Sequence, residues 1–351
     1  MRARASTRRP ESRFRSQRAA CPASRRVRRS RSPSRAVSPA THFADRLATL
    51  VEERRSRVAL GLDPDPAALW PDALQAARSS RLRPGQPPPG SPEALELVGA
   101  AVERHCLAAI EAAGPACVAA KLQFACFERL GARGWRALEA VRDGARDAGL
   151  LVIADAKRGD VPVTARAYAQ ALVGSTPTPF GEVAGFGADS FTANPLLGRD
   201  SLEPLVEGAR AAHAGCFVLV NTSNPGASDL QDLDAGGAPL HERIAGLVGD
   251  LGADHTGDCG LSLVGAVTGA TRPERLGRLR ELMPRAIFLL PGVGAQGGRA
   301  AVLGPAFEPH PAAGLVAASR SIVGAHRERG GDPALAAQSA AQELRRVTWN
   351  V

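Results

Sequence analysis

One segment organises the rest of the chain: residues 150–164 read LLVIADAKRGDVPVT. The first five residues form a short apolar run of the kind expected for a buried strand. The run ends abruptly in two carboxylates, a lysine and a glycine, and a helical pattern follows. Charge at the end of a strand is costly to bury unless the groups pair with each other or with a ligand. The segment therefore predicts a strand, then a helix, with a polar site at their junction.

The same pattern recurs along the body of the chain, where eight short apolar runs alternate with helical patterns. These predicted strands are Val58–Asp63, Cys117–Lys121, 150–155, Ala188–Pro195 with its loop, Cys216–Asn221, Leu261–Val267, Ala286–Leu290 and Gly314–Ala318. Continuously apolar strands that alternate with helices are typical of a parallel sheet covered on both faces. Eight of them predict a closed (β/α)8 barrel, the TIM barrel.

An open, doubly wound sheet is the alternative fold, but no GxGxxG follows the first strand, where that fold would carry it. The predicted helices include Phe43–Arg55, a helix capped at Ser91 that reaches Ala113, Phe127–Ala148, and a last helix over Pro333–Arg346. Every polar cluster follows a strand. Because the carboxyl ends of barrel strands share one face, these clusters are expected to converge there.

The charge of the chain is uneven. The formal net charge is +9, but residues 1–40 hold 13 arginines and a single acid, Glu11, whereas the remainder holds 31 basic and 34 acidic residues. Residues 1–40 are rich in Arg, Ser and Pro and lack an apolar run, so a disordered tail is predicted there, with the barrel domain over 41–351. A targeting segment or a nucleic-acid-binding arm are alternative interpretations, and an extension without function is favoured.

Cysteine, histidine and hydropathy patterns exclude several classes. The six cysteines form no CxxC pair, and Cys117 and Cys216 open apolar runs, which indicates buried thiols in a reducing compartment. The seven histidines show no metal-ligand spacing, so no metal site is predicted. No segment is long and apolar enough for a membrane span or a secretory signal. A cytoplasmic enzyme is expected.

Lysine usage points to the chemistry. Of the 44 Lys and Arg residues only two are lysines, Lys121 and Lys157, and each follows an apolar run. Arginine is permanently protonated and a poor proton donor, whereas lysine can give up a proton. Both positions are therefore predicted to need lysine chemistry. With Asp155 and Asp160 at neighbouring strand ends, the two lysines could form an alternating network of charges. A structural cluster of ion pairs is the alternative interpretation.

A glycine-rich loop over Pro291–Gly298 follows the seventh predicted strand, and Arg320 follows the eighth. Glycines let the backbone approach a ligand closely, and a guanidinium can bind a phosphate through two hydrogen bonds. Phosphate sites of barrels commonly lie after strands seven and eight. A phosphate-binding site is predicted here.

The motif Asp155-x-Lys157-x-x-Asp160, followed by Pro162 and Thr164, resembles the signature of the orotidine 5′-phosphate decarboxylase family. In its other strand-end motifs, the chain also resembles the longer bacterial (type 2) subgroup of that family. They are Gly61-Leu62-Asp63-Pro64, Lys121-x-Gln123, Asn194-Pro195-Leu196-Leu197-Gly198, Thr222-Ser223-Asn224-Pro225-Gly226 and the 291–298 loop. The similarity runs from about residue 42 to residue 347 and leaves only the basic tail outside it.

The resemblance implies the decarboxylation of orotidine 5′-monophosphate to uridine 5′-monophosphate (UMP) and CO2 in pyrimidine biosynthesis, without a cofactor. The implied catalytic residues are Lys157, Asp155, Lys121 and Asp160, and the implied substrate-binding residues are Asp63, Thr164, Ser223, Gln296 and Arg320. Lys157 would give the proton to C6 of the pyrimidine. Asp155 would lie beside the departing carboxylate, and Lys121 would link the network to the ribose.

The remaining roles implied by the resemblance concern binding and assembly. Asp63 would hold a ribose hydroxyl, Ser223 the pyrimidine, and Gln296 with Arg320 the phosphate. Asp160 and Thr164 of one subunit would reach into the other subunit's site, since the family forms homodimers with composite sites.

Three alternatives stay open. A magnesium-dependent decarboxylase or synthase of keto-sugar phosphates on the same barrel is the nearest. A Schiff-base aldolase that uses Lys121 or Lys157 is the second, and a nucleic-acid-binding protein that acts through residues 1–40 is the third.

Overall fold

A computed structural model describes residues 41–79, 87–294 and 296–351. The predicted disordered tail, residues 1–40, lies outside the described residues, as does much of the proline-rich stretch after residue 79. Within the described ranges, no helix is both long and apolar enough to cross a membrane.

Eight parallel strands close into a barrel, which confirms the predicted fold. In chain order the strands are β1 (Val58–Leu62), β2 (Ala119–Gln123), β3 (Leu151–Arg158), β4 (Ser175–Thr178), β5 (Gly181–Ala184), β6 (Ser190–Ala193), β7 (Gly215–Asn221), β8 (Val264–Thr268), β9 (Phe288–Pro291) and β10 (Gly314–Ala318). Around the barrel the order is β1-β10-β9-β8-β7-β6-β3-β2. Strands β4 and β5 form a separate antiparallel pair.

Helices connect the strands. They are α1 (Phe43–Arg54), α2 (Pro71–Ser79), α3 (Pro92–Ala113), α4 (Phe124–Glu128), α5 (Ala132–Asp147), α6 (Pro162–Leu172), α7 (Arg199–Ala211), α8 (Ser228–Gln231), α9 (Leu240–Gly252), α10 (Leu276–Leu282), α11 (Arg320–Val323), α12 (His326–Arg329) and α13 (Pro333–Trp349). The predicted cap of α3 is present, because the Ser91 side chain accepts a hydrogen bond from the backbone N–H of Ala94 at 3.2 Å.

Two sequence predictions of local structure are wrong. The single helix expected over Phe127–Ala148 is divided into α4 and α5, because Gly131, with φ +60° and ψ −145°, adopts a non-helical conformation open to glycine. The gap between α6 and β6, expected to be helical, also contains the β4–β5 hairpin. Its turn is closed at Gly181, where the carbonyl accepts a hydrogen bond from the Thr178 hydroxyl at 2.7 Å.

The apolar strands are buried on both faces. One core cluster fills the barrel with side chains such as Ile153, Phe217 and Leu289, and a second lies between the strands and the surrounding helices. Helix α1 closes the amino-terminal end of the barrel, where the ring of Phe43 meets that of Phe217 edge to face at 5.9 Å. Cys216 is fully buried on β7, as predicted for a small apolar residue. The opposite, carboxyl-terminal end stays open.

Candidate active site

A cavity of about 490 Å³ opens at the carboxyl-terminal end of the barrel. Seven of the nine predicted site residues line it, namely Asp63, Lys121, Asp155, Lys157, Ser223, Gln296 and Arg320. They come from loops and strand ends that are up to 257 residues apart in sequence, Asp63 to Arg320. Barrel topology, which brings all strand ends to one face, is what assembles them.

Asp155 lies at the centre of a charged network. Lys121 Nζ lies 2.6 Å from Asp155 Oδ2, and Lys157 Nζ lies 2.6 Å from Asp155 Oδ1. Each carboxylate oxygen thus faces its own ammonium group. The Lys121 and Asp155 side chains are buried, whereas that of Lys157 is 42% exposed to the cavity. The exposed ammonium group is therefore the one that a ligand in the cavity can reach.

The network holds both buried groups in their charged forms. Burial alone would raise the pKa of Asp155, but the ammonium groups of Lys121 and Lys157 outweigh it and hold the pKa well below its usual range. Burial would also lower the pKa of Lys121, but the carboxylates of Asp155 and Asp63 outweigh it and raise that pKa above its usual value. The carboxylate and the buried ammonium group stay charged across the neutral range.

The backbone of β3 turns sharply to present Lys157. Lys157 has a φ of +50°, which is unfavourable for a residue with a side chain, and the pairing of β3 with β6 shifts register between Ala154 and Arg158. Thr192 on β6 supports this conformation, because its hydroxyl accepts a hydrogen bond from the Lys157 backbone N–H at 2.9 Å. The same hydroxyl donates to Asp155 Oδ1 at 3.0 Å. Strain of this kind persists only where neighbouring groups maintain it.

Asp63 and Gln123 extend the network towards the rim of the cavity. Asp63 Oδ1 lies 3.5 Å from Lys121 Nζ, and its side chain is partly exposed. Gln123 Nε2 donates to Asp155 Oδ2 at 3.1 Å. The two carboxylates that line the cavity thus both face Lys121. Among the residues that the structure describes, no group of three or more His, Cys, Asp or Glu side chains is arranged to hold a metal ion.

The glycine-rich loop brings Gln296 and Ser223 close together. Gly292 has a φ of +99°, and a Cβ there would lie 2.8 Å from Gln296 Oε1 and 3.1 Å from Ser223 Cβ. The positive φ favours glycine here, and the absence of a side chain lets Gln296 and Ser223 approach the backbone. Arg320 opens α11 after the neighbouring strand β10, and no acid in the described ranges pairs with it. The guanidinium group is therefore available to an anionic ligand.

Asp160 and Thr164 are not among the residues that line this cavity. Within one chain Asp160 does not contact Lys121, Asp155 or Lys157, so three of the four residues of the predicted network come together there. Its carboxylate instead accepts a hydrogen bond from the Val161 backbone N–H at 2.7 Å. Asp160 lies in the short segment between the end of β3 at Arg158 and the start of α6 at Pro162.

Sequence reasoning missed two residues of the site, Thr192 and Gln231, and gave Gln123 no role. Thr192 lies in the run Ala188–Pro195, a pattern that predicts only a strand and its loop. Gln231 lies nine residues beyond Thr222 in a stretch without a strand or helix signal of its own. The side chains of both line the cavity. No spacing rule would have placed them there, because their positions depend on register and on loop conformation.

Comparisons with known proteins point to one family. The model of the orotidine 5′-phosphate decarboxylase / HUMPS family matches residues 56–332. A Rhodopirellula baltica protein named orotidine 5′-phosphate decarboxylase is 40% identical over 285 residues, which are 81% of this chain and 89% of that protein. A Haloarcula marismortui protein of the same name is 41% identical over 286 residues, or 80% and 87% of the two chains.

A solved structure of an OMP decarboxylase also matches this chain. The OMP decarboxylase of Leishmania donovani superposes with a TM-score of 0.62 at 29% identity, and the match covers 88% of this chain and 100% of that one. The resemblance inferred from the strand-end motifs is thereby confirmed. The chain belongs to the orotidine 5′-phosphate decarboxylase / HUMPS family.

Proposed function

We propose that this chain decarboxylates orotidine 5′-monophosphate to UMP and CO2 in pyrimidine biosynthesis. The observation that carries the proposal is the exposed ammonium group of Lys157, held 2.6 Å from a buried carboxylate inside a cavity large enough for a nucleotide. Relatives at about 40% identity are named for this activity. We propose the cytosol as the site of the reaction, in keeping with the buried free thiols of Cys106, Cys117 and Cys216.

The physical problem is that CO2 must leave a ring carbon with no adjacent carbonyl to accept the electron pair. The resulting carbanion is strongly basic, so the site must stabilise negative charge at C6 more in the transition state than in the substrate. A fixed ammonium group at Lys157 provides this stabilisation and then supplies the proton. Asp155 next to the substrate carboxylate would add repulsion that is relieved as CO2 departs.

The rest of the cavity would hold the nucleotide in place. Arg320 and Gln296 would bind the phosphate, Ser223 the pyrimidine, and Asp63 a ribose hydroxyl, with Lys121 linking the ribose to the charged network. Binding energy gained at the remote phosphate would then keep the ring against Lys157. This proposal is supported by the position of these residues around one cavity.

A metal-free assay separates this proposal from its nearest rival. Each oxygen of Asp155 already faces an ammonium group at 2.6 Å, so a magnesium ion would have to compete with two positive charges for that carboxylate. We expect the purified protein to decarboxylate orotidine 5′-monophosphate at an unchanged rate in EDTA. The rate is followed by the change in ultraviolet absorbance. Activity that disappears in EDTA and returns with magnesium would favour the keto-sugar-phosphate reaction type instead.

Thr192 offers a test of the network itself. Valine at this position keeps the side-chain shape but removes the hydroxyl group that supports Asp155 and the Lys157 backbone. We expect Thr192→Val to lower kcat roughly 10- to 100-fold, because a hydrogen bond to a charged group contributes about 1.5–3 kcal/mol. KM should change little, and Thr192→Ser should restore most of kcat. Equal kcat values in the valine and wild-type proteins would show that the hydroxyl group is not needed.

We also propose a homodimer whose sites are composite, with Asp160 and Thr164 acting in the partner's cavity. Both residues lie away from their own cavity, on the loop and first turn between β3 and α6. Exposed apolar side chains flank them in the chain, with Val161 53% and Val163 82% exposed, and Leu196, 70% exposed, follows β6, which pairs with the end of β3. Apolar side chains grouped in this way are typical of a surface that becomes buried on association.

Mixing two inactive variants tests the composite site. Lys157→Ala removes the proton donor of a subunit's own site, and Asp160→Ala removes the residue that it lends to its partner. In a hybrid dimer one site then keeps both groups. We expect a refolded equal mixture to regain about a quarter of wild-type activity, since half of the dimers are hybrids with one intact site. Activity that equals the mean of the two separate variants would contradict the shared site.

A further inference from the structure

Gln231 ends the short helix α8, and its side chain lines the cavity beside Thr222 and Ser223. The motifs that indicated the other site residues do not include it. Its contacts connect the loop that follows β7 to the body of the barrel. These contacts indicate how Gln231 acts in the site.

The Gln231 carboxamide binds the residue before Ser223 through two groups. Gln231 Oε1 accepts a hydrogen bond from the Thr222 backbone N–H at 2.9 Å, and Nε2 donates to Thr222 Oγ1 at 2.8 Å. Because a backbone N–H can only donate, the amide oxygen must face it, which fixes the orientation of the carboxamide. The Thr222 hydroxyl in turn donates to Asn224 Oδ1 at 2.7 Å. The residues on both sides of Ser223 thus belong to one chain of hydrogen bonds.

Gln231 is itself tied to the scaffold. The backbone carbonyl oxygen of Gln231 lies 2.8 Å from Nδ1 of His241, which is buried on α9. The next residue, Asp232, accepts two hydrogen bonds from Arg275, at 2.7 and 2.9 Å. The segment between Thr222 and Gln231 is largely exposed. The carboxamide therefore adds a second connection between the barrel and Thr222, beyond the covalent link to the end of β7, and helps to set the position of Ser223.

Ser223 also packs against backbone on its other side. A Cβ at Gly269 would lie 2.9 Å from the Ser223 backbone nitrogen, so the loop can lie this close only because residue 269 has no side chain. The groups around Ser223 that come from Thr222, Asn224 and Gln231 are hydroxyl and amide groups without charge. Such groups suit the neutral carbonyl and N–H edge of a pyrimidine ring better than a phosphate, for which Arg320 lies elsewhere in the cavity.

We propose that Gln231 is a positioning residue that holds Ser223 for recognition of the pyrimidine ring. The inference rests on the proposed function, because it assigns the base-binding part of the same cavity. It predicts an effect on ligands that carry a base and none on ligands that lack one.

Binding measurements with two ligands test this inference. UMP carries the base, the ribose and the phosphate, whereas ribose 5-phosphate lacks the base. We expect Gln231→Ala to weaken UMP binding roughly tenfold, the effect of losing hydrogen bonds worth about 1.4 kcal/mol. Binding of ribose 5-phosphate should stay within about twofold of the wild type. Calorimetric titration gives both constants, and Gln342→Ala, an exposed glutamine on α13, is the matched control.

A double-mutant cycle with Thr222→Val sharpens the test. Because the two side chains share the hydrogen bond between Gln231 Nε2 and Thr222 Oγ1, the loss of UMP affinity in the double variant should be smaller than the sum of the losses in the two single variants. Unchanged UMP binding in Gln231→Ala, or an equal loss for UMP and ribose 5-phosphate, would overturn the inference. A wild-type protein that fails to bind UMP at all would contradict the proposed function on which the inference depends.

Discussion

Lys157→Ala is expected to abolish nearly all decarboxylase activity. A positioned proton donor contributes roughly 10²- to 10⁴-fold and a preorganised charge roughly 10²- to 10³-fold, so kcat should fall by at least about 10⁴-fold. The fold should persist, because the Lys157 side chain is partly exposed and Asp155 keeps its second ion pair, with Lys121. Steady-state kinetics and thermal unfolding of the variant check both parts of the prediction.

Two further variants separate charge from proton donation. Lys157→Arg keeps the positive charge but is a poor proton donor, so we expect it to be strongly impaired as well. Arg199→Ala removes an exposed ion pair with Asp250 outside the cavity and should leave kcat unchanged. Turnover of Lys157→Ala within tenfold of the wild type would end the assignment of Lys157 as the proton donor.

Asp155→Asn is expected to reduce both stability and activity. It leaves the buried ammonium group of Lys121 without its closest carboxylate, and a broken buried ion pair costs about 3 kcal/mol or more of unfolding free energy. Loss of the charge that positions Lys157 should lower kcat by roughly 10²- to 10³-fold. Asp250→Asn, in the exposed pair with Arg199, is the matched control and should change stability by less than about 0.5 kcal/mol.

The dependence of stability on pH distinguishes the loss of the Asp155 charge from a loss of packing. The pKa of Asp155 is lower in the folded chain than in the unfolded one, so its contribution is present above the unfolded pKa and is lost as the pH falls towards the folded one. The pKa of Lys121 is raised, so its contribution is lost only when the pH rises through that higher value. Both charged groups therefore contribute fully to the free energy of unfolding between about pH 5 and pH 9.

Urea unfolding over a range of pH measures this directly. The difference in unfolding free energy between wild type and Asp155→Asn should be constant in that window. It should shrink as the pH falls below about 4, because the unfolded wild-type chain then binds a proton at Asp155 and the folded chain does not. A difference that stays the same down to pH 2 would mean that the charge of Asp155 contributes nothing to stability.

Much of the fold could be predicted because apolar runs and the polar residues that end them follow directly from burial in a barrel. The β4–β5 hairpin was missed because its residues, Ser175–Ala184, are mostly exposed and carry no apolar run. The break between α4 and α5 depends on the positive φ of Gly131, and a glycine inside a helical pattern does not by itself reveal its backbone angles.

The charged part of the site was predictable for a different reason. Lysine is rare in this chain, so Lys121 and Lys157 stood out, and Asp155 lies two residues from Lys157. Thr192 was not predictable, since its contact with Lys157 depends on the register shift between β3 and β6. The charges alone predicted Asp160 in one network with Asp155, and only the family resemblance implied that it lies outside the cavity of its own chain.

The most direct test of the account is a crystal structure of the protein with UMP bound. The account predicts the phosphate at Arg320, the base beside Ser223, and Lys157 Nζ within about 3.5 Å of C6, the distance of reacting atoms in a productive complex. A nucleotide bound with C6 away from this amine, or an amine that turns from the base into unrelated contacts, would contradict the central role given to Lys157.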